Sequence, residues 1–156
     1  MLHLIPAPLH RALYRLADRV RHRWWRIRKS RGQSVIVLAV DDQGRVLLVR
    51  HSYGKPLWSL PGGGIGRRED PLLAAIREIR EELGCAIEDL RELATAEELL
   101  HGSRGLHHVF VARLVETPVP DMREVVEVGL FDPAELPPDI MRRARAWIER
   151  WQESLG

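Results

Sequence analysis

PGGGIGRREDPLLAAIREIREELGCA, residues 61–86, sets three consecutive glycines just ahead of four glutamates, Glu69, Glu78, Glu81 and Glu82. Asp70 followed by Pro71 reads as a helix start, because proline in the first turn forfeits only an N–H that has no partner there. Gly84 reads as the stop. At about 100° per residue, Leu72, Ile76, Ile79 and Leu83 fall within one narrow arc, the expected buried face. Glu78, Glu81 and Glu82 are then expected to gather away from that arc. Like charges at these spacings cost a helix about 0.2–0.5 kcal/mol per pair, and Arg77 and Arg80 offset part of this. A solvated acidic face is the ordinary origin of such a segment. The glycines change the balance, because they let backbone approach a phosphate or a metal closely. Clustered carboxylates are the hard oxygen donors that Mg2+ or Mn2+ requires.

The spacing is specific. Gly63 is followed by five residues and Glu69; seven more lead to Arg77-Glu78, then Ile79, Arg80, Glu81-Glu82, Leu83 and Gly84. This resembles the signature box of the Nudix hydrolases and departs from it only at the last position, where Cys85 replaces an aliphatic residue. Free cysteine packs as a small apolar group, so no functional loss is expected. The resemblance extends over roughly residues 33–150, through WSLPGGG before the box and EVGLFDPAELP after it.

That resemblance implies a Nudix-type α/β/α sandwich with a mixed central sheet. It also implies hydrolysis of a diphosphate linkage in a nucleoside diphosphate joined to another group, by water attack at phosphorus with Mg2+ (or Mn2+) as cofactor. Carried over residue by residue, the metal set is Glu78, Glu81, Glu82 and the Gly62 carbonyl, with Glu82 the first choice as a direct ligand. Arg77 is expected to orient Glu78, and Glu69 to steady the loop or to bind the metal through water. The general base is Glu78, Glu81 or a carboxylate beyond the box, for which Glu124 and Glu127 stand as candidates. Leu60, Pro61 and Gly63, leading into and opening the box, and Arg50 and His51, ending the second strand, are the candidate substrate contacts. Markers of particular subfamilies are missing: Leu100 and His101 stand where ADP-ribose hydrolases carry a proline. The substrate subclass stays open.

Working outward, residues 34–40 (SVIVLAV) and 45–50 (RVLLVR) read as strands joined by the turn Asp41-Asp42-Gln43-Gly44. Residues 106–115 and 124–131 read as further strands, 90–100 as a strand over part of its length, and 139–155 as a closing helix with Ile140, Ala144, Trp147, Trp151 and Leu155 on one side. Strands on both sides of a central helix mean an α/β domain with a mixed sheet. His107 and His108 are adjacent, so on a strand they face opposite ways and a metal site shared by both is not expected; sheet surface is the ordinary expectation for both, with one of them a candidate to face the substrate. Trp58 is expected in the core or at the rim.

A chain of 156 residues with 45% apolar and 29% charged residues suits one domain with a real core. No apolar run is long enough to cross a membrane. The single cysteine excludes an internal disulfide framework and fits a reducing cytoplasm. Arginines interrupt every apolar run near the N-terminus, which does not fit a signal-peptide core. The net charge of +2 conceals a division: residues 1–31 carry nine Lys/Arg against one acid, Asp18, and the remainder fifteen against twenty-one acids. Residues 1–32 therefore read as a basic amphipathic helical arm, with a stripe at Leu9, Leu13, Leu16, Val20, Trp24 and Ile27, ahead of the domain at 33–156. The arm's candidate partners are the domain itself, a second copy in a homodimer, an anionic membrane surface and nucleic-acid phosphate. Two other function classes stand beside the hydrolase: a non-catalytic Nudix-like nucleotide-binding or regulatory module, and a membrane- or RNA-associated protein acting through its arm.

Overall fold

The computed structural model describes residues 32–100 and 103–156. The helical arm expected over residues 1–32 lies outside the described residues except for Gly32. Six strands and two helices follow: β1 (Gln33–Val40), β2 (Val46–His51), β3 (Gly62–Gly64), α1 (Pro71–Leu83), β4 (Ile87–Leu100), β5 (Ser103–Leu114), β6 (Val125–Phe131) and α2 (Arg142–Glu153). The sheet runs β4-β5-β1-β2-β6. β1 lies parallel to β5 along its whole length, from Gln33 opposite Leu106 to Val40 opposite Arg113, and every other pairing is antiparallel. The mixed sheet is as expected.

Alternation along β1 divides the core. Val35, Val37 and Ala39 face α1 with Leu47, Val49, Ala75, Ile79, Leu83 and Phe110. Ile36 and Leu38 face α2 with Leu48, Val109, Val111, Trp147 and Ile148. Each face of the sheet is covered by one helix, which makes the α/β/α sandwich. Cys85 is buried in the first cluster, as a small apolar group.

The central strand is shared on one edge. β2 joins β1 only at the hairpin end, Val40 opposite Val46, while β3 takes the other end, with Ser34 opposite Gly64 and Ile36 opposite Gly62. The three glycines thus form a strand rather than the flexible loop their composition suggests. Unpaired backbone at the split end of β1 recruits them. The hairpin turn is as read: Asp41 accepts from the Gln43 and Arg45 amides through Oδ1 at 3.0 and 2.8 Å.

Three other expectations are corrected. The last helix begins at Arg142, not Asp139, because Trp58 N–H donates to the Asp139 carbonyl and Met141 N–H to the Trp58 carbonyl. Those groups are spent on a bridge to the strand leading into the glycines, and Leu155 lies exposed past the helix end. β4 starts earlier than read, with irregular pairing near Asp89 and Leu93. The buried face of α1 is also displaced. Leu72 and Leu73 are exposed, while Ala74, Ala75, Ile79 and Leu83 are fully buried together with Glu78 and Glu82. Small alanines let the helix sit close on the sheet, and that contact turns two carboxylates inward.

Candidate active site

The site is built on β3, the turn after it and α1. Asp70 caps the helix, its Oδ1 accepting from Leu72 N–H at 2.9 Å, and Gly84 ends it in the left-handed conformation. This fixes the phase of the helix, and with it the direction of Arg77, Glu78, Glu81 and Glu82.

Arg77 is the hub. Its five N–H donors meet five acceptors. Nε donates to Glu69 Oε1 at 2.6 Å and one terminal nitrogen to Glu69 Oε2 at 2.9 Å, a bidentate pair. The same nitrogen reaches the Gly64 carbonyl at 2.9 Å, and the other reaches Glu78 Oε1 at 2.8 Å and Glu81 Oε2 at 3.5 Å. Burial alone would lower the pKa of this guanidinium. The hydrogen bonds and charges of Glu69 and Glu78 outweigh burial and raise it, so Arg77 stays protonated. Glu69 Oε2 also accepts from the Gly66 N–H at 2.7 Å, closing the turn between β3 and α1.

Glycine at 63 follows from the seat of Glu78. A Cβ at Gly63 would lie 2.5 Å from the Glu78 Cδ and 2.6 Å from its Oε1. The carboxylate therefore packs directly on bare backbone. A Cβ at Gly62 would meet the Val35 carbonyl oxygen at 2.1 Å, where β3 crosses closest to β1. Glu78 and Glu82 are only 3% and 1% exposed, whereas the Glu81 side chain is half exposed. One helical turn thus presents two sequestered carboxylates and one facing solvent.

The other candidates divide. Pro61 is buried and its carbonyl accepts from Val37 N–H at 2.9 Å. Leu60 is buried on the α2 side of the sheet, where it lines a cavity of about 40 Å³ with Ile36, Ser59, Met141, Arg143, Ala144 and Trp147. Arg50 donates to Glu127 Oε2 at 2.9 Å and to Asp139 Oδ2, and its guanidinium lies 4.4 Å from the centre of the Trp58 ring. Trp58 is in the core, edge-on to Phe131 with ring centres 4.9 Å apart. His51 is half-buried and its ring lies 5.1 Å from that of Tyr53.

Glu127 is therefore engaged with Arg50 on the β2–β6 pair. Glu124 sits elsewhere, on the corner before β6. Asp121 N–H donates to the Glu82 carbonyl at 2.9 Å, and Asp121 Oδ1 accepts from the amides of Arg123, Glu124 and Val125 at 2.9–3.0 Å. Asp121 so ties the Glu124 corner to the last turn of α1. Neither Asp121 nor Asp139 is apparent from the sequence; an aspartate three to four residues before a strand, as in D-M-R-E-V, is the only local sign of the first. His107, expected on the surface, is 2% exposed, with Nδ1 2.5 Å from Ser34 Oγ across the β1–β5 pair. His108 faces the other way, near Thr95 and Glu92.

Among the described residues, no three His, Cys, Asp or Glu side chains converge as a closed metal cage. The donor set nonetheless fits a hard divalent cation. Such ions keep most positions for water and substrate phosphate and take only one or two protein carboxylates, and here two buried carboxylates stand one turn apart beside bare glycine backbone.

The family model described as the NUDIX domain matches residues 30–151. The chain belongs to the Nudix family. It is 33% identical over 86 residues to CMP-5'-(N-acetyl-N-hydroxy-3-aminopropyl)phosphonate hydrolase of Streptomyces rubellomurinus, covering 54% of this chain and 42% of that protein. It is 30% identical over 114 residues to ADP-ribose pyrophosphatase of Bacillus subtilis, covering 66% and 61%. The chain spans less than two thirds of the length of these curated relatives. Among solved structures, MutT NUDIX hydrolase of Burkholderia pseudomallei superposes with a TM-score of 0.68 at 27% identity, over 76% of this chain and 95% of the other. Members of the family work with divalent metal cations, and no helix among the described residues is long and apolar enough to cross a membrane.

Proposed function

We propose that this chain hydrolyses a diphosphate linkage in a nucleoside diphosphate joined to another group, with Mg2+ or Mn2+ as cofactor. The observation that carries this reading is the seat of Glu78: a buried carboxylate packed on Gly63 backbone and held by Arg77, with buried Glu82 one turn on and Glu81 open to solvent. The activities of the relatives, a CMP-phosphonate hydrolase and an ADP-ribose pyrophosphatase, point to the same class of bond.

Glu78, Glu81, Glu82 and the Gly62 carbonyl would hold the cation, which when bound neutralises charge on the phosphoryl oxygens and lowers the pKa of coordinated water. Arg77 fixes the Glu78 carboxylate through Oε1. Glu69 holds Arg77 in turn and closes the glycine turn. Water adds to phosphorus and loses a proton to a carboxylate, while the bond to the bridging oxygen breaks and the leaving phosphate departs with the electron pair. Glu78 is the first choice for that base; the Asp121 tie to α1 favours Glu124 over Glu127 as the alternative.

The test is turnover of nucleotide sugars, dinucleotides and nucleoside triphosphates with Mg2+, by the native chain and by Glu82→Gln and Glu78→Gln. Each variant is expected to lose on the order of 10²-fold or more in kcat/KM while keeping its fold by circular dichroism. Undiminished hydrolysis by Glu82→Gln would reject its role as ligand, and no turnover across the panel by the native chain would reject the hydrolase reading.

A further inference from the structure

The two helices begin in opposite ways. A helix N-terminus carries partial positive charge and N–H groups without intrahelical acceptors, so acidic side chains are favoured there and basic ones disfavoured. α1 obeys this rule through the Asp70 cap. α2, on the other face of the sheet, breaks it. Its first four residues include Arg142, Arg143 and Arg145, its first turn holds no acidic residue, and Met141 at the N-cap position makes no side-chain hydrogen bond to it. Asp139, the carboxylate just ahead in the chain, is paired with Arg50.

The cavity of about 40 Å³ already noted lies between this end of α2 and the Ser59–Leu60 segment. About 10–15 Å³ suffices for a water, so there is room for a larger guest. Trp147 walls the cavity and is 7% exposed, and its Nε1–H has no hydrogen-bond partner among the described residues. A buried N–H without an acceptor is an unfavourable state that a ligand oxygen would relieve. Ser59, also buried, has its Oγ 3.5 Å from the Val49 carbonyl, at the long limit of a hydrogen bond. The third polar side chain on the wall is that of exposed Arg143, and no acidic residue lines the cavity. Each of these three side chains can donate a hydrogen bond.

We propose that the cavity at the N-terminus of α2 binds a free phosphate-class oxyanion, held by the Trp147 indole N–H, the Ser59 hydroxyl, the Arg143 side chain and the amides of the first turn. One anion answers the buried indole donor, the uncapped helix end and the arginines gathered at its positive pole. The site lies across the sheet from the glutamate helix and needs no metal, so it stands independently of the diphosphate reading.

The test follows the indole resonance of Trp147 in proton–nitrogen correlation spectra of the full chain, identified by its disappearance in Trp147→Phe. Inorganic phosphate is added in the presence of EDTA, with ionic strength held constant by sodium chloride. The resonance is expected to move and to saturate with a Kd on the order of millimolar. Ser59→Ala and Arg143→Gln are each expected to weaken binding by about tenfold. Arg142→Gln, which removes the same charge from a side chain off the cavity wall, is expected to weaken it much less. AMP distinguishes a free ion from a phosphate carried on a nucleoside: the cavity has no room for sugar and base, so AMP is expected to bind at least about tenfold more weakly. A Trp147 resonance unmoved by phosphate, or moved equally by chloride, overturns the proposal. So does full affinity in Arg143→Gln, whose exposed side chain can be changed without disturbing the core, or equal weakening by Arg142→Gln, which would reduce the effect to net charge. Equal affinity for AMP overturns the assignment of a free ion. Neither metal nor turnover is involved, so failure here leaves the hydrolase reading standing, and failure of hydrolysis leaves this site standing.

Discussion

Two arginines show how differently one chain can anchor a cation. Arg77 finds its partners one, four, eight and thirteen residues away, all within the box. Arg50 finds its carboxylates 77 and 89 residues away, on β6 and ahead of α2. Arg77 is three-quarters buried and makes five directed bonds, while Arg50 meets half-exposed acids and rests on the Trp58 face. A local hub can be written as a sequence signature because helix phase alone brings its members together. A dispersed hub exists only once the sheet has closed.

The contrast is sharpest under truncation. Arg77→Gln leaves Glu78, almost fully buried, without its charge partner and removes the bidentate pair to Glu69. Breaking such a pair costs on the order of 3 kcal/mol. Thermal unfolding is expected to register that loss, and turnover is expected to fall with it. Arg50→Gln removes ion pairs that solvent screens, each worth about 0.2–1 kcal/mol, and a stacking contact of about 0.5–1 kcal/mol. A loss of about 1–3 kcal/mol in unfolding free energy, measured by chemical denaturation, is expected, with kcat nearly preserved. Equal destabilisation by the two substitutions would dissolve the distinction between the hubs.

Gly63→Ala probes the local hub without touching a charge. Its Cβ would fall 2.5 Å from the Glu78 Cδ, so the carboxylate must leave its seat. Displacement of a catalytic group by about 1 Å costs on the order of 10²-fold in rate. The expected result is a kcat reduced by about that factor, with a stability loss of only about 1–3 kcal/mol from overpacking. Native kcat in this variant would show that the close approach of Glu78 to β3 has no part in the chemistry.

Legibility followed the same division. The helix bounds, the Asp70 cap, the Gly84 stop, the Asp41 turn and the Nudix family were all readable, because each depends on residues close in sequence, the box itself spanning only residues 63–85. Periodicity nevertheless misjudged which side of α1 is buried. It weighted Leu72 and Ile76 by their size, whereas Ala74 and Ala75 decide how near the helix approaches the sheet and so carry Glu78 and Glu82 inward. The glycines carry no strand signal of their own, because glycine disfavours strands, yet the split edge of β1 offers partners that override propensity. His107 could not be placed from its own neighbours; its partner in the buried sheet is Ser34, 73 residues earlier, across a parallel pair. The Arg50 hub was invisible for the same reason, and its candidate role at the substrate gave no hint of Asp139.

Asp41 supplies the smallest test, and one where pH separates local from distant contacts. Its carboxylate caps the hairpin turn. Burial pushes its pKa up, but hydrogen bonds from the Arg45 amide, the Arg45 side chain and the Gln43 amide outweigh burial and hold it below the ordinary value of 3.8. A folded-state pKa depressed in this way contributes stability above the unfolded-state pKa, and the contribution disappears as pH falls through the lower folded value. Asp41→Asn is therefore expected to be slightly less stable than the native chain at pH 7, with the gap closing below about pH 4. Chemical denaturation at pH 7 and pH 3 measures this. A gap that stays constant between them would mean that the turn is held by its backbone geometry alone, and that even this most local of the charged contacts contributes nothing through its ionisation.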